Sequence, residues 1–133
     1  MSPRVLVVEN DTLQGMVHAA ILRDMGLEAL GPVPSVSRAL VEINASCPDL
    51  VLLDHHLADG PACLLSYALR ATGVPFIWVT GCYPEELPPG DAPILEKPFD
   101  LEVLKREIAA MLEGPSAGWR SGQLQVNPAA GGN

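Results

Sequence analysis

The chain has 133 residues, of which 48% are apolar and 18% charged, a balance that excludes a mostly disordered protein and suits one folded domain. Its net charge of -8 argues against non-specific binding to nucleic acid and against docking on an anionic membrane. No apolar run approaches the roughly 18 residues of a membrane helix, and the first residues lack a secretory signal pattern. The irregularly spaced cysteines fit reduced thiols rather than a disulfide framework, so we expect a cytoplasmic protein; they are Cys47, Cys63 and Cys82.

Short apolar runs alternate along the chain with segments of helical spacing. The strand-like runs cover residues 4–8, 27–30, 49–53, 75–79 and 93–96. The nearly continuous ones among them are typical of strands buried on both faces of a parallel sheet. Apolar residues three and four apart predict helices over 12–25, 36–45, 61–71 and 101–112. The alternation predicts a three-layer α/β sandwich built on a five-stranded parallel sheet with right-handed crossovers.

The first predicted helix has one clear apolar stripe. Its members step by three and four residues, and we expect them to form the buried face; they are Leu13, Met16, Val17, Ala20, Ile21 and Met25. His18 lies off this stripe, so we expect it to face solvent.

Two segments break the alternation. A crossover helix is due within residues 81–92, but Pro88 and Pro89 would stop it about one turn after Pro84, so we predict a degenerate fourth helix. Residues 114–133 are rich in Gly, Ser, Pro and Ala without an apolar period. They predict a flexible tail after a domain that spans residues 1–113.

Polar residues follow the predicted strands, at the edge where open α/β sheets bind ligands. In chain order they are Glu9, Asn10 and Asp11, then Asp54, His55 and His56, then Thr80, and last Lys97. Neighbouring carboxylates repel each other unless a cation joins them, and oxygen ligands favour Mg²⁺. A hydroxyl and an ammonium opposite them suit the oxygens of a phosphoryl group, with one carboxylate as the nucleophile.

Four sequence pieces in this frame resemble the receiver domains of two-component response regulators. They are "VLVVEND", "LVLLDHHLADG", "VTG" and "LEKPF", in order and at receiver spacing over residues 4–112. The resemblance implies a doubly wound, flavodoxin-like topology. A narrower likeness is carried by "PFIWVTGCY" (75–83), which resembles the fourth-strand signature of the FAT GUY receivers, mostly single-domain regulators.

The resemblance also implies a role for each residue at the predicted strand ends. Asp54 would accept a phosphoryl group from a histidine kinase or a histidine phosphotransfer protein, and Thr80 and Lys97 would bond the phosphoryl oxygens. Mg²⁺ would be held by Glu9, Asn10, Asp54 and the backbone carbonyl of His56. The expected function is signalling or phosphoryl relay through a protein partner. Such a domain assists its own phosphorylation and dephosphorylation and is not otherwise an enzyme.

Two positions depart from the receiver pattern. Asn10 stands where receivers usually have the aspartate that binds the metal directly, so we expect weak Mg²⁺ binding unless Asp11 compensates. Ile94 stands where many receivers have a switching aromatic residue. Two alternatives stay open: a pseudo-receiver that binds partners without phosphorylation, and an aspartyl-phosphate phosphatase of the haloacid dehalogenase type. The phosphatase needs an aspartate two residues after its nucleophile, where this chain has His56.

Overall fold

The computed structural model describes residues 2–81 and 87–113. The described residues divide into two units, with the division after Phe99. The predicted tail (114–133) and the centre of the predicted degenerate helix (82–86) lie outside the described residues. Within the described ranges, no helix has the length and apolar character needed to cross a membrane.

The first unit alternates strands and helices as the sequence predicts. Its elements are β1 (Arg4–Val8), α1 (Thr12–Asp24), β2 (Glu28–Val33), α2 (Val36–Ser46), β3 (Leu50–Leu53), β4 (His56–Leu57), β5 (Gly60–Pro61), α3 (Cys63–Thr72), β6 (Phe76–Thr80) and β7 (Ile94–Glu96). The second unit contributes α4 (Leu101–Glu113), which makes four helices in the described part of the chain.

The main sheet has five parallel strands in the order β2-β1-β3-β6-β7. The chain moves outward from β1 in one direction and then in the other, which is the doubly wound topology that was predicted. A two-residue antiparallel pair, β4 with β5, lies between β3 and α3 and was not predicted.

The central strands β1, β3 and β6 are buried on both faces, as their continuous apolar runs predict. Helices α2 and α3 share one core with β1, since Ala39 and Leu65 pack with Leu6 and Val8. The intervening residues of β1 are also buried, and side chains alternate along a strand, so they face the other side of the sheet. Helix α1 contacts β1 and β2 and contributes buried residues outside that core.

The buried face of α1 differs from the predicted one. Its buried residues are Gly15, His18, Ala19, Ile21 and Leu22. Leu13, Met16 and Val17 are instead 70%, 56% and 42% exposed. The cause is a close approach at Gly15, where an added Cβ would lie 2.6 Å from Pro32 Cβ. Only a glycine lets the helix lie so near β2, and this contact turns the apolar stripe toward solvent.

Strand β2 is longer than predicted because it continues through Gly31 and Pro32, residues that usually end a strand. Its register with β1 shifts between Leu6 and Val8, and Gly31 has a φ of +86°, which glycine adopts without strain. Beyond the shift, Glu9 N donates to Val33 O at 3.0 Å. The irregular end of β2 therefore fixes the backbone at Glu9.

Candidate functional site

The sheet register brings the predicted site residues to one edge. Val8 pairs with Leu53, and Leu53 pairs with Trp78, so Glu9 and Asp54 follow adjacent strands at the same level. Thr80 is the last residue of β6 and is fully buried. Lys97 follows β7, and its backbone N donates to Thr80 O at 2.8 Å.

The Lys97 ammonium lies between two carboxylates. Its Nζ donates to Glu9 Oε1 at 2.9 Å and to Asp54 Oδ2 at 3.4 Å. The side chains of Glu9 and Asp54 are 3% and 10% exposed, and that of Lys97 is 20% exposed. The other Glu9 oxygen, Oε2, accepts from Asp11 N at 3.1 Å. The sequence predicted Glu9 as a metal ligand; the direct ion pair from Lys97 to Glu9 was not predicted.

This arrangement changes the protonation of Glu9. The pKa of Glu9 is raised from 4.5 to about 7, chiefly by burial and then by the adjacent Asp54 carboxyl, while the hydrogen bond from Lys97 opposes the rise. Two nearly buried carboxyls therefore face one ammonium, and the site gains from any additional positive charge.

The pKa of Glu9 predicts a stability that falls as pH rises. The pKa of Glu9 is about 7 in the folded protein, and its ordinary value is 4.5. The stability that Glu9 contributes is therefore full below pH 4.5 and is lost as pH rises through 7. We expect the free energy of unfolding to fall by about 2 kcal/mol through Glu9 between about pH 5.5 and about pH 8. Urea unfolding of wild type and Glu9→Gln at both pH values measures this, because the variant should lack that fall. The exposed Glu102→Gln is the control, and equal pH dependence of wild type and Glu9→Gln would contradict the prediction.

The remaining predicted metal ligands are Asn10 and His56, and both are exposed. The Asp11 carboxylate caps α1, where its Oδ1 accepts from Gln14 N at 3.1 Å. Across the described ranges, no three His, Cys, Asp or Glu side chains converge on a possible metal position. Mg²⁺ needs fewer protein ligands, since it is held by one or two carboxylates plus waters and phosphate oxygens. Glu9 and Asp54 fit that requirement, and Asn10, with a neutral amide oxygen, directly follows Glu9.

The segment after Asp54 is held by backbone contacts at both ends. His56 N donates to Asp54 Oδ1 at 3.4 Å, and Ala62 N donates to His55 O at 2.8 Å. The Asp59 carboxylate accepts from the backbone N of Val36 at 2.8 Å and of Ser37 at 3.2 Å, and these bonds, that from Val36 foremost, lower the pKa of Asp59. Asp59 thus ties the segment to the start of α2, where its anionic charge also suits the helix dipole.

His55 is a packed residue rather than an outward-facing one. It is 7% exposed, its ring meets the Trp78 ring edge-on with centroids 6.0 Å apart, and its Nε2 lies 3.7 Å from Cys63 Sγ. The neighbouring His56 ring lies edge-on to it at 4.8 Å.

The prediction that His18 faces solvent is wrong. His18 is 6% exposed, and its ring stacks on that of Phe99, with centroids 6.0 Å apart and an interplanar angle of 26°. Burial, followed by the charge of Lys97, lowers the pKa of His18. The signal in the sequence is a second helical stripe of smaller residues, Gly15, Ala19 and Leu22, which shares a face with His18 and which the larger apolar stripe conceals.

No family model and no curated protein matches the chain. Solved structures do match. The receiver domain of the PhyR response regulator of Erythrobacter litoralis is 26% identical, with 95% of each chain covered and a TM-score of 0.76. SdrG from Sphingomonas melonis is 28% identical, with 84% of this chain and 97% of SdrG covered and a TM-score of 0.71. A two-component response regulator from Clostridium difficile is 22% identical, with 85% and 98% covered and a TM-score of 0.76.

The chain therefore has the fold of response regulator receiver domains, and its structural neighbours include those of the PhyR type. The resemblance to receivers is confirmed at this level. The FAT GUY subgroup stays a prediction.

Proposed function

We propose that the chain is a receiver that takes a phosphoryl group onto Asp54 from a histidine kinase or a histidine phosphotransfer protein, and then signals or relays through protein contacts. The observation that carries the proposal is the Lys97 ammonium, 3.4 Å from Asp54 Oδ2 and 2.9 Å from Glu9 Oε1, at the carboxyl edge of a receiver-type sheet. A nucleophilic carboxylate and a fixed cation beside it are parts that phosphoryl transfer to aspartate uses.

The chemistry follows from the residues at that edge. An Asp54 oxygen attacks the phosphorus of a phosphohistidine, so a P–O bond forms as the P–N bond breaks, and the imidazole, which carries a proton on its other nitrogen, leaves as a neutral ring. Lys97 offsets part of the charge that the phosphoryl oxygens bring. Thr80, at the end of the adjacent strand, would donate a hydrogen bond from its hydroxyl to a phosphoryl oxygen. Bound Mg²⁺ would supply further positive charge to the same oxygens, held by Glu9, Asp54, Asn10 and the His56 carbonyl.

The surface of α1 supports a helical protein as the phosphodonor. The helix begins directly after Glu9 and Asn10, and it presents Leu13, Met16 and Val17 to solvent as one stripe. Exposed apolar stripes of this kind are typical of protein interaction sites. A partner helix on this stripe would bring its histidine to the end of the sheet that holds Asp54. With such partners we assign the protein to the cytoplasm, and we assign it no nucleic-acid or membrane partner.

Two finer assignments belong to this proposal. Ile94 is 38% exposed at the start of β7, which fits receivers that lack the aromatic switch, and we assign the chain to the FAT GUY type on "PFIWVTGCY". The pseudo-receiver alternative draws support from Asn10, because a neutral amide stands where receivers usually have the aspartate that binds the metal. The phosphatase alternative has no aspartate at position 56 to act as the general acid.

Asn10→Asp is expected to tighten Mg²⁺ binding, because a negative charge close to the ion adds very roughly 1–4 kcal/mol of attraction. The gain corresponds to about fivefold to several hundredfold in affinity. A calorimetric Mg²⁺ titration of both proteins measures it. Asn44→Asp, an exposed position on α2, makes the same charge change and should leave the affinity unaltered. Equal affinities for wild type and Asn10→Asp would contradict the prediction.

One incubation separates the three functions. The full chain is mixed with acetyl phosphate and Mg²⁺, and both the protein mass and the consumption of the donor are followed. A receiver gains one phosphoryl mass with limited donor consumption. A pseudo-receiver gains no mass, and a phosphatase consumes donor through many turnovers. Either of the last two results would overturn the proposed function.

A further inference from the structure

We infer that His18 is a positioning residue of the Asp54 site: its ring, stacked on Phe99, holds the turn that places Lys97 between Glu9 and Asp54. The inference rests on the proposed function, since it assigns the residue that sets the cation of that site. It comes from a contact between α1 and the residues after β7.

The turn from Lys97 to Phe99 is short, so a contact that fixes Phe99 also restricts the position of Lys97. Phe99 lies two residues beyond Lys97, with Pro98 between them, and proline fixes its own φ near −65°. At the other end, Lys97 N donates to Thr80 O at 2.8 Å. This bond fixes the backbone before the turn, and the contact with His18 fixes the chain after it.

His18 is well placed as the fixed side of this contact. It lies on the buried face of α1 between Gly15 and Ala19, and Gly15 is pressed against Pro32. The helix therefore cannot slide or rotate without displacing β2. Its ring stacks on Phe99 nearly in parallel, at 26°, an arrangement that favours a flat aromatic partner over an aliphatic one.

Burial and the charges near His18 explain how its imidazole ring is accommodated in the buried face of α1. The groups that influence it are the Lys97 ammonium, which disfavours the imidazolium, and the Asp54 carboxylate, which favours it. Burial has the largest effect and also favours the neutral ring. A neutral ring stacks on Phe99 without repelling Lys97, so the side chain acts by its shape and place.

The chain contains two lysines, Lys97 and Lys105, and this allows a direct test. The full-length protein is treated with a limiting amount of an amine-acylating reagent, and mass spectrometry gives the ratio of labelled Lys97 to labelled Lys105. Because Lys105 lies on α4, it serves as the internal reference in each molecule. We expect His18→Ala and Phe99→Leu to raise the ratio several-fold, because the Lys97 amine is released from the carboxylates. His18→Phe keeps a flat ring and should stay near wild type, and Ile21→Val controls for loosened packing of α1.

The phosphorylation rate gives the second readout. We expect His18→Ala to slow Asp54 labelling by acetyl phosphate by about tenfold to a hundredfold, since small displacements of a positioned group have effects of that size. In a Lys97→Met background the same substitution should have no further effect, because its action passes through Lys97. If His18→Ala does not fold, Phe99→Leu and His18→Phe decide the question.

The inference is overturned if Phe99→Leu or His18→Ala leaves the acylation ratio at the wild-type value, or if Ile21→Val raises it equally. Acylation does not require phosphorylation, so this result stands apart from the proposed function. A wild-type protein that is never phosphorylated refutes the proposed function, while the acylation ratio still tests the role of His18.

Discussion

Asp54→Asn is expected to lower phosphorylation by acetyl phosphate or by a phosphorylated histidine kinase by several orders of magnitude, because it removes the nucleophile. The variant should remain folded. The carboxyl of Asp54 raises the pKa of Glu9, so removing its charge relieves repulsion between two nearly buried acids. Intact-mass measurement of phosphorylated protein over time gives the rate, and thermal unfolding confirms the fold.

A matched control for this variant lies in the same segment. Asp59→Asn removes a carboxylate five positions away, at an exposed residue that caps α2, and the amide oxygen can still accept from Val36 N. It should be labelled at close to the wild-type rate. If Asp54→Asn were labelled as fast as wild type, the acceptor would lie elsewhere.

Lys97→Met is expected to have the second largest effect, on both stability and phosphorylation. Without the ammonium, Glu9 and Asp54 face each other nearly buried and uncompensated, which costs about 2–4 kcal/mol of folding free energy near pH 8. The loss should shrink near pH 5.5, because Glu9, with a pKa of about 7, is then protonated. Labelling of Asp54 should slow by about a hundredfold, as when a fixed donor to a developing anion is removed.

Urea unfolding at both pH values and the acetyl phosphate assay measure these effects. Lys105→Met changes the other lysine and should affect neither quantity. The double variant Glu9→Gln with Lys97→Met removes the repulsion as well as the cation, so it should recover most of the stability at pH 8 and none of the labelling rate. A Lys97→Met protein with wild-type stability and wild-type labelling would contradict the site as described.

The residues at the strand ends could be predicted because a parallel sheet leaves little choice in where the residue after each strand can lie. Buried strands appear as continuous apolar runs, and the residues that follow them must meet at one edge. Glu9 and Asp54 were placed in this way, and so was Lys97, and the structure brings all three into contact. Helix ends also depend on local chemistry, as at Ser35, whose side chain accepts from Arg38 N, and at Gly73, whose φ is +78°.

Features that depend on long-range packing could not be predicted. The orientation of α1 is set by Gly15 against Pro32, a contact between two elements that sequence periodicity does not report. The burial of His18 follows from that rotation. The β4–β5 pair is two residues long on each side, too short to show an alternating pattern. The ion pair from Lys97 to Glu9 depends on how a long, flexible side chain settles between two acids, which strand order alone does not determine.

The measurement that tests the central claim most directly is chemical trapping of the acyl phosphate. Wild-type protein is incubated with acetyl phosphate, with and without Mg²⁺, and then reduced with borohydride, which converts a phosphorylated aspartate to homoserine. Peptide mass spectrometry locates the homoserine. We expect it at position 54, with more of it formed when Mg²⁺ is present. Homoserine at another aspartate, or none at position 54 under any condition, would contradict the assignment of Asp54 as the phosphoacceptor.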